Sequence, residues 1–158
     1  MKILLAIDGS DYSKATVSEI ALRSFPLKTK ICIVSAYEKA SLITAMGPMN
    51  VPQDDYIKAD QYALMIAKNA TEMAVKILRA KNSTLTITAK VVEGNPKRVI
   101  LEEAETFGAD LIVVGSHGTG AIERFLMGSV SQAVALYAKC SVEIVRIKIK
   151  KPIKSKRK

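Results

Sequence analysis

Four glycines and three serines crowd residues 115–131, GSHGTGAIERFLMGSVS, directly after the apolar run Leu111 to Val114. Glycine lets a ligand approach backbone amides without striking a Cβ. A helix N-terminus adds unpaired N–H donors and a partial positive charge. Those are the requirements for holding phosphate. Gly115 and Gly118 shape the approach from the preceding strand, and Gly128-Ser129-Val130-Ser131 opens the following helix with two further hydroxyls. The same residues would also serve a plain turn and a helix cap, which need no ligand. Two familiar phosphate signatures do not fit. No lysine follows Gly128 as a P-loop requires, and Glu123 stands in 118-GTGAIE-123 where a dinucleotide fingerprint has glycine. Taken alone, the loop reads as an anion site.

The other reactive side chains point to binding more than to chemistry. His117 is the sole histidine, and a loop histidine beside phosphate reads as a hydrogen-bond donor or a solvated group. Glu123 and Arg124 read as surface residues. Cys32 and Cys140 lie too far apart in sequence for a redox or zinc motif and read as small buried hydrophobes. No triad, convincing carboxylate pair or metal-ligand cluster stands out, so an efficient enzyme is not expected.

The elements that position the loop follow from hydropathy patterning. Residues 2–7, KILLAI, form an apolar run of strand length that ends at 8-DGSDYS-13, a cluster of turn and N-cap residues. A helix follows, carrying Ala15, Ile20, Ala21 and Leu22 toward the core and ending before Pro26. Residues 30–37 read as a second strand. Residues 38–53 show no sustained periodicity, and loops of that length are often functional or mobile. From Asp54 to about Lys81 apolar residues recur at helical spacing, Met73 among them as a core residue. The segment 84–92 reads as a strand entering a covered region. A turn at 93–96 then leads into a helix through about Phe107, capped by Gly108. Residues 109–115 form a strand buried on both faces. A helical stripe of Val130, Ala133, Val134, Tyr137 and Ala138 and an alternating strand at 141–147 complete the pattern.

Five strands alternating with four helices predict an α/β fold: a single Rossmann-like domain whose five-stranded parallel sheet has the order 3-2-1-4-5, with helices on both faces. In that order Cys32 and Cys140 lie on strands separated by two others, too far apart for a disulfide. Ligands bind such sheets beyond the strands' carboxyl ends where the order reverses. That crevice lies between strands 1 and 4, where Asp8 meets the glycine loop.

The net charge of +9 is concentrated. Residues 148–158 hold seven of the 24 basic side chains, which leaves 17 basic against 15 acidic residues in the rest. Residues 1–147 are therefore expected to form the domain and 148–158 a basic, disordered tail with weak contacts to nucleic acid at most. No apolar run approaches the roughly 18 residues of a membrane span, and Met1 leads directly into a strand, so a cytoplasmic protein is expected.

The spacing Gly115, two residues, Gly118, nine residues, Gly128-Ser129 resembles the G-x2-G-x9-G-[S/T] signature of the universal stress protein family in its ATP-binding branch. The resemblance extends through 2-KILLAIDGSDYS-13, 91-VVEGNP-96, 109-ADLIVVGSHG-118 and 141-SVEIVR-146. It implies ATP in the crevice, with Mg2+ or Mn2+, and a homodimer made through the last strand. By position it places Asp8 at the ribose or at a phosphate-bound divalent ion and Gly115 by the ribose. Gly118, Gly128 and Ser129 would surround the phosphates, with Ser116, His117, Val130 and Ser131 close behind. The backbone at Ala36 would meet adenine, with Ile7 and Val92 as apolar walls. Three functions follow from this: a nucleotide-dependent stress or signalling module, a slow ATPase or nucleotidyl- or phosphoryl-transfer enzyme, and a dimeric scaffold holding another ligand. Ser35-Ala36 and Ser141-Val142 depart from residues common in that family, a His-Val pair and a proline.

Overall fold

The computed structural model describes residues 1–39, 53–118 and 127–146. Among them, β1 (Lys2–Ile7), α1 (Asp11–Ala21), β2 (Lys30–Tyr37), α2 (Gln53–Lys81), β3 (Thr86–Glu93), α3 (Pro96–Phe107), β4 (Leu111–Gly115), α4 (Ser129–Tyr137) and β5 (Ser141–Val145) follow one another. The strands form one sheet of order β3-β2-β1-β4-β5, every adjacent pair parallel. This is the order expected from the alternation of strands and helices.

Side chains of a strand alternate between the faces of the sheet, and β1 divides its own accordingly. Ile3, Leu5 and Ile7 join Val17 and Ile20 of α1 and Ala74 and Leu78 of α2 in one core. Leu4 and Ala6 join Val99, Ile100 and Ala104 of α3 and Val134 of α4 in the other. Residues 3–7 are all buried, each large side chain contributing roughly 1.5–3 kcal/mol. A strand covered on both faces can therefore be continuously apolar, which is the pattern of KILLAI. Cys32 and Cys140 are both free.

Burial departs from the sequence reading where the margin of the fold decides it. Leu22 caps α1 and is 75% exposed. The buried stripe of α1 is Ser13, Thr16, Val17, Ile20 and Ala21, and Leu22 falls one step past it. The buried line of α2 runs through Ala67, Thr71, Ala74 and Leu78, leaving Met73 half exposed on its flank. There Met73 lines an apolar groove between α1 and α2 together with Val17 and Ile77. Tyr137 is exposed on α4. β3 is largely exposed because it is an edge strand.

The length of α2 matters for the site. Its 29 residues span about 43 Å at 1.5 Å each, whereas the eight residues of β2 span about 26 Å. α2 begins at the carboxyl end of the sheet, so its first turns overhang that end and wall the space beyond it.

Candidate nucleotide-binding crevice

Beyond the carboxyl ends of β1 and β4 lies an open cleft of about 720 Å³. Of the residues singled out in the sequence, Ile7, Asp8, Ala36, Gly115, His117, Gly118, Gly128, Ser129, Val130 and Ser131 line it. Val92 and Ser116 stand behind the lining. Val92 pairs with Ala36 in the β2–β3 register and packs on the α3 side of the sheet. Ser116 is buried. Glu123, Arg124, residues 40–52 and the tail from 147 lie outside the described residues.

Each wall has a local cause. At the end of β1 the Asp8 Oδ1 accepts the Ser10 N–H at 3.0 Å. The Ser10 hydroxyl then caps α1 by accepting the Ser13 N–H at 3.1 Å, a bond typically worth about 1 kcal/mol. Opposite, the Ser116 carbonyl accepts the Gly128 N–H at 2.9 Å and the Ser131 hydroxyl at 3.3 Å. That clamp fixes the start of α4 against the end of β4, so the intervening segment leaves and returns at one place. The Ser116 N–H in turn donates to the Val145 carbonyl of β5 at 2.9 Å.

Two glycines of the signature sit tightly against these contacts. A Cβ on Gly118 would lie 2.6 Å from Asp8 Oδ2, and one on Gly128 would lie 3.2 Å from the Ser116 carbonyl oxygen. The sequence reading assigned the bare backbone to ligand approach. The structure adds that the backbone is also bare because the carboxylate and the clamp occupy the space a side chain would need. Ser131 lines the cleft as well, and its hydroxyl donates within the chain, to the carbonyls of Gly128 and Ser116, latching the first turn of the helix.

The donors are those of α4. Its N-cap, Gly128, makes no side-chain cap bond, and the first N–H groups of a helix have no intrahelical partner. The amides of Ser129, Val130 and Ser131 thus stand at the cleft with the positive end of the helix dipole. Asp8 supplies a carboxylate facing this electropositive end. His117 lines the same cleft, its ring centroid 5.2 Å from that of Tyr12 and its Nδ1 3.0 Å from Ser116 Oγ.

The remaining lining was not picked out in the sequence. Ala63, Ile66 and Ala67 of the overhanging α2, Pro96 and Ile100 of α3, and Met127 make the apolar walls. The one available signal was helix length against strand length. Ser35, Tyr37 and Glu38 continue the β2 rim past Ala36. Glu38 accepts a hydrogen bond from the Asn95 side chain at 2.8 Å, and Lys39 pairs with Glu93 at 2.7 Å. The hydrogen bond from Lys39 to Glu93 pushes the Lys39 ammonium above its ordinary value. Among the described residues, Ser35 Oγ is the buried side-chain atom without a hydrogen-bond partner. No cluster of three or more His, Cys, Asp or Glu suited to a metal ion occurs among them, and no helix is long and apolar enough to cross a membrane.

Comparison with known proteins agrees with this architecture. The model of the Universal stress protein family matches residues 1–146. Universal stress protein YxiE of Bacillus subtilis is 34% identical over 152 residues, covering 92% of this chain and 98% of its own. The Thermus aquaticus universal stress protein in the QAH/OAS sulfhydrylase 3′ region is 33% identical over 148 residues, covering 91% and 97%. Among solved structures, the protein MJ0577 superposes with a TM-score of 0.76 at 21% identity, covering 94% of this chain and 97% of that one. A universal stress protein in complex with cAMP gives 0.55 at 26% identity, covering 92% and 96%. An Arabidopsis thaliana family protein with AMP bound gives 0.65 at 19% identity, covering 94% and 92%.

Proposed function

This chain belongs to the universal stress protein family, and from that membership and the crevice we propose that it is an ATP-binding stress or signalling module. The observation that carries the reading is convergence. The Asp8 carboxylate and the N-terminus of α4 line one cleft, with Gly118 lying against Asp8. Amide donors and a helix dipole suit phosphate, while a carboxylate nearby repels it unless a cation intervenes. A phosphate chain carrying Mg2+ or Mn2+ meets both demands. Asp8 would serve as a protein ligand to the ion, and phosphate oxygens and water would complete its shell, as Mg2+ commonly permits. The apolar walls from α2 and α3 suit a base. A relative 26% identical was solved with cAMP, which supports an adenine nucleotide as the ligand class.

Nucleotide occupancy would act by ordering the backbone around Gly118 and Gly128, changing a surface that a partner reads. A homodimer through β5 belongs to the same reading. β5 is an edge strand, edges are templates for pairing, and the helix leading into it exposes Leu136 and Tyr137.

Calorimetry on nucleotide-free protein tests the proposal. Saturable binding of Mg-ATP is expected, and no heat at millimolar nucleotide ends it. Mass spectrometry of the supernatant from freshly purified, denatured protein identifies whichever nucleotide co-purifies.

A further inference from the structure

The role of His117 can be taken further, resting on the nucleotide reading and deepening it. Ser116 is 2% exposed, and among the described residues the hydrogen bond of its Oγ is the one to His117 Nδ1, at 3.0 Å. A hydroxyl carries one proton, and a buried O–H that donates to nothing is costly. Nδ1 is the acceptor within reach, so the Ser116 proton points at it. In a neutral imidazole one nitrogen accepts and the other carries the proton. With Nδ1 accepting, the proton resides on Nε2. The Tyr12 ring lies beside the imidazole, its centroid 5.2 Å away and its plane tilted by 37°.

We propose that Ser116 and Tyr12 hold His117 as an Nε2–H donor for the phosphate chain, and that this donor makes the crevice selective for the number of phosphates. Position supports it. A Cβ on Gly128 would lie 3.5 Å from the His117 Cα, so His117 adjoins the residue that opens α4. On its other side follows Gly118, against the Asp8 carboxylate. A single phosphate is satisfied by the amides of one helix N-terminus. A longer chain in this cleft would carry further anionic oxygens past that terminus, within reach of His117 in the same lining. Its loss therefore weakens a triphosphate more than a monophosphate. Ser116 acts through the ring and is a positioning residue.

Two measurements test this. The chain has one histidine, so 15N-labelled, nucleotide-free protein in mildly alkaline buffer yields a single imidazole whose long-range 1H–15N correlations report the tautomer. The Nε2–H form is expected, with the preference lost in Ser116→Ala; an Nδ1–H ring in the wild type overturns the proposal. In calorimetry, His117→Ala is expected to weaken Mg-ATP about tenfold, the scale of one hydrogen bond to a charged group, and AMP by less than about threefold. His117→Gln, which keeps an N–H donor, recovers most of the loss. Equal losses for ATP and AMP, or no loss for either, sink the inference while leaving nucleotide binding intact. Wild-type protein that binds neither nucleotide removes the functional reading and this one with it.

Discussion

The two ends of the sheet each carry an aspartate beside a strand, one within a network of chain contacts and the other in the lining of the cleft. At the amino end, Asp110 Oδ2 accepts the Lys2 N–H at 2.7 Å and the Asp110 N–H returns a bond to the Lys2 carbonyl at 2.8 Å. The Lys2 ammonium donates to the Phe107 carbonyl at 3.0 Å and lies 5.5 Å from the Phe107 ring centroid. Polar groups there are matched within the chain. At the carboxyl end, Asp8 faces a cleft toward which a capless helix directs its first amides. Among the described residues, strands of equal quality thus lead to a closed amino end tied by bonds within the chain and to an open carboxyl end that lines the cleft.

Gly118→Val should break that contrast most severely. The new side chain would enter the space of Asp8 Oδ2, 2.6 Å from the Cβ position. Mg-ATP binding is expected to fall at least about a hundredfold by calorimetry, with a stability loss of about 1–3 kcal/mol from the overpacking. Unchanged affinity would mean that the loop and the carboxylate do not share a ligand. Asp8→Asn is milder. It keeps the size of the side chain but removes the charge, so the advantage of Mg-ATP over metal-free ATP should shrink by about tenfold, the worth of one charge-assisted contact. Equal metal dependence in wild type and variant would remove Asp8 from the ion. The matching change at the closed end, Asp110→Ala, should leave nucleotide affinity unchanged and lower stability in urea by about 1 kcal/mol.

The layered frame was legible in the sequence because its cause is local. β1 and β4 are continuous apolar runs, as strands covered on both faces must be, and Asn95, Pro96 and Gly108 mark both ends of α3. The open end was legible in its backbone, since glycines and Asp8 fall on the loops that the strand order brings together. What escaped depends on neighbours that no short window contains. Whether Met73 is buried depends on how far α1 approaches α2, and whether β3 is covered depends on its place at the edge. Ser131 illustrates the limit within the site: a serine in the first turn of a helix suits a ligand donor or a latch equally. Only the carbonyls of Ser116 and Gly128 beside it decide for the latch.

The smallest expected effect concerns the bidentate pair that ties the end of α1 to β5. The Arg23 guanidinium donates to both oxygens of Glu143, at 2.7 and 2.6 Å, and to Glu19 at 2.6 Å. These bonds hold the Glu143 carboxyl below the usual carboxylate range and the guanidinium above its already high one. A carboxylate whose folded value is depressed stabilises fully above its unfolded value, about 4.3 for glutamate, and the gain is lost as pH falls through the folded value. Both side chains are about one-third exposed, and water screens such a pair, so its worth is held to about 1 kcal/mol at neutral pH. Urea unfolding of wild type and Glu143→Gln should therefore differ by about that amount near neutrality and converge in acid well below the carboxylate range. A difference that persists in acid would assign the loss to packing of β5, and none at neutral pH would show the pair to be energetically idle. Nucleotide affinity should be the same in both proteins, because neither side chain lines the cleft.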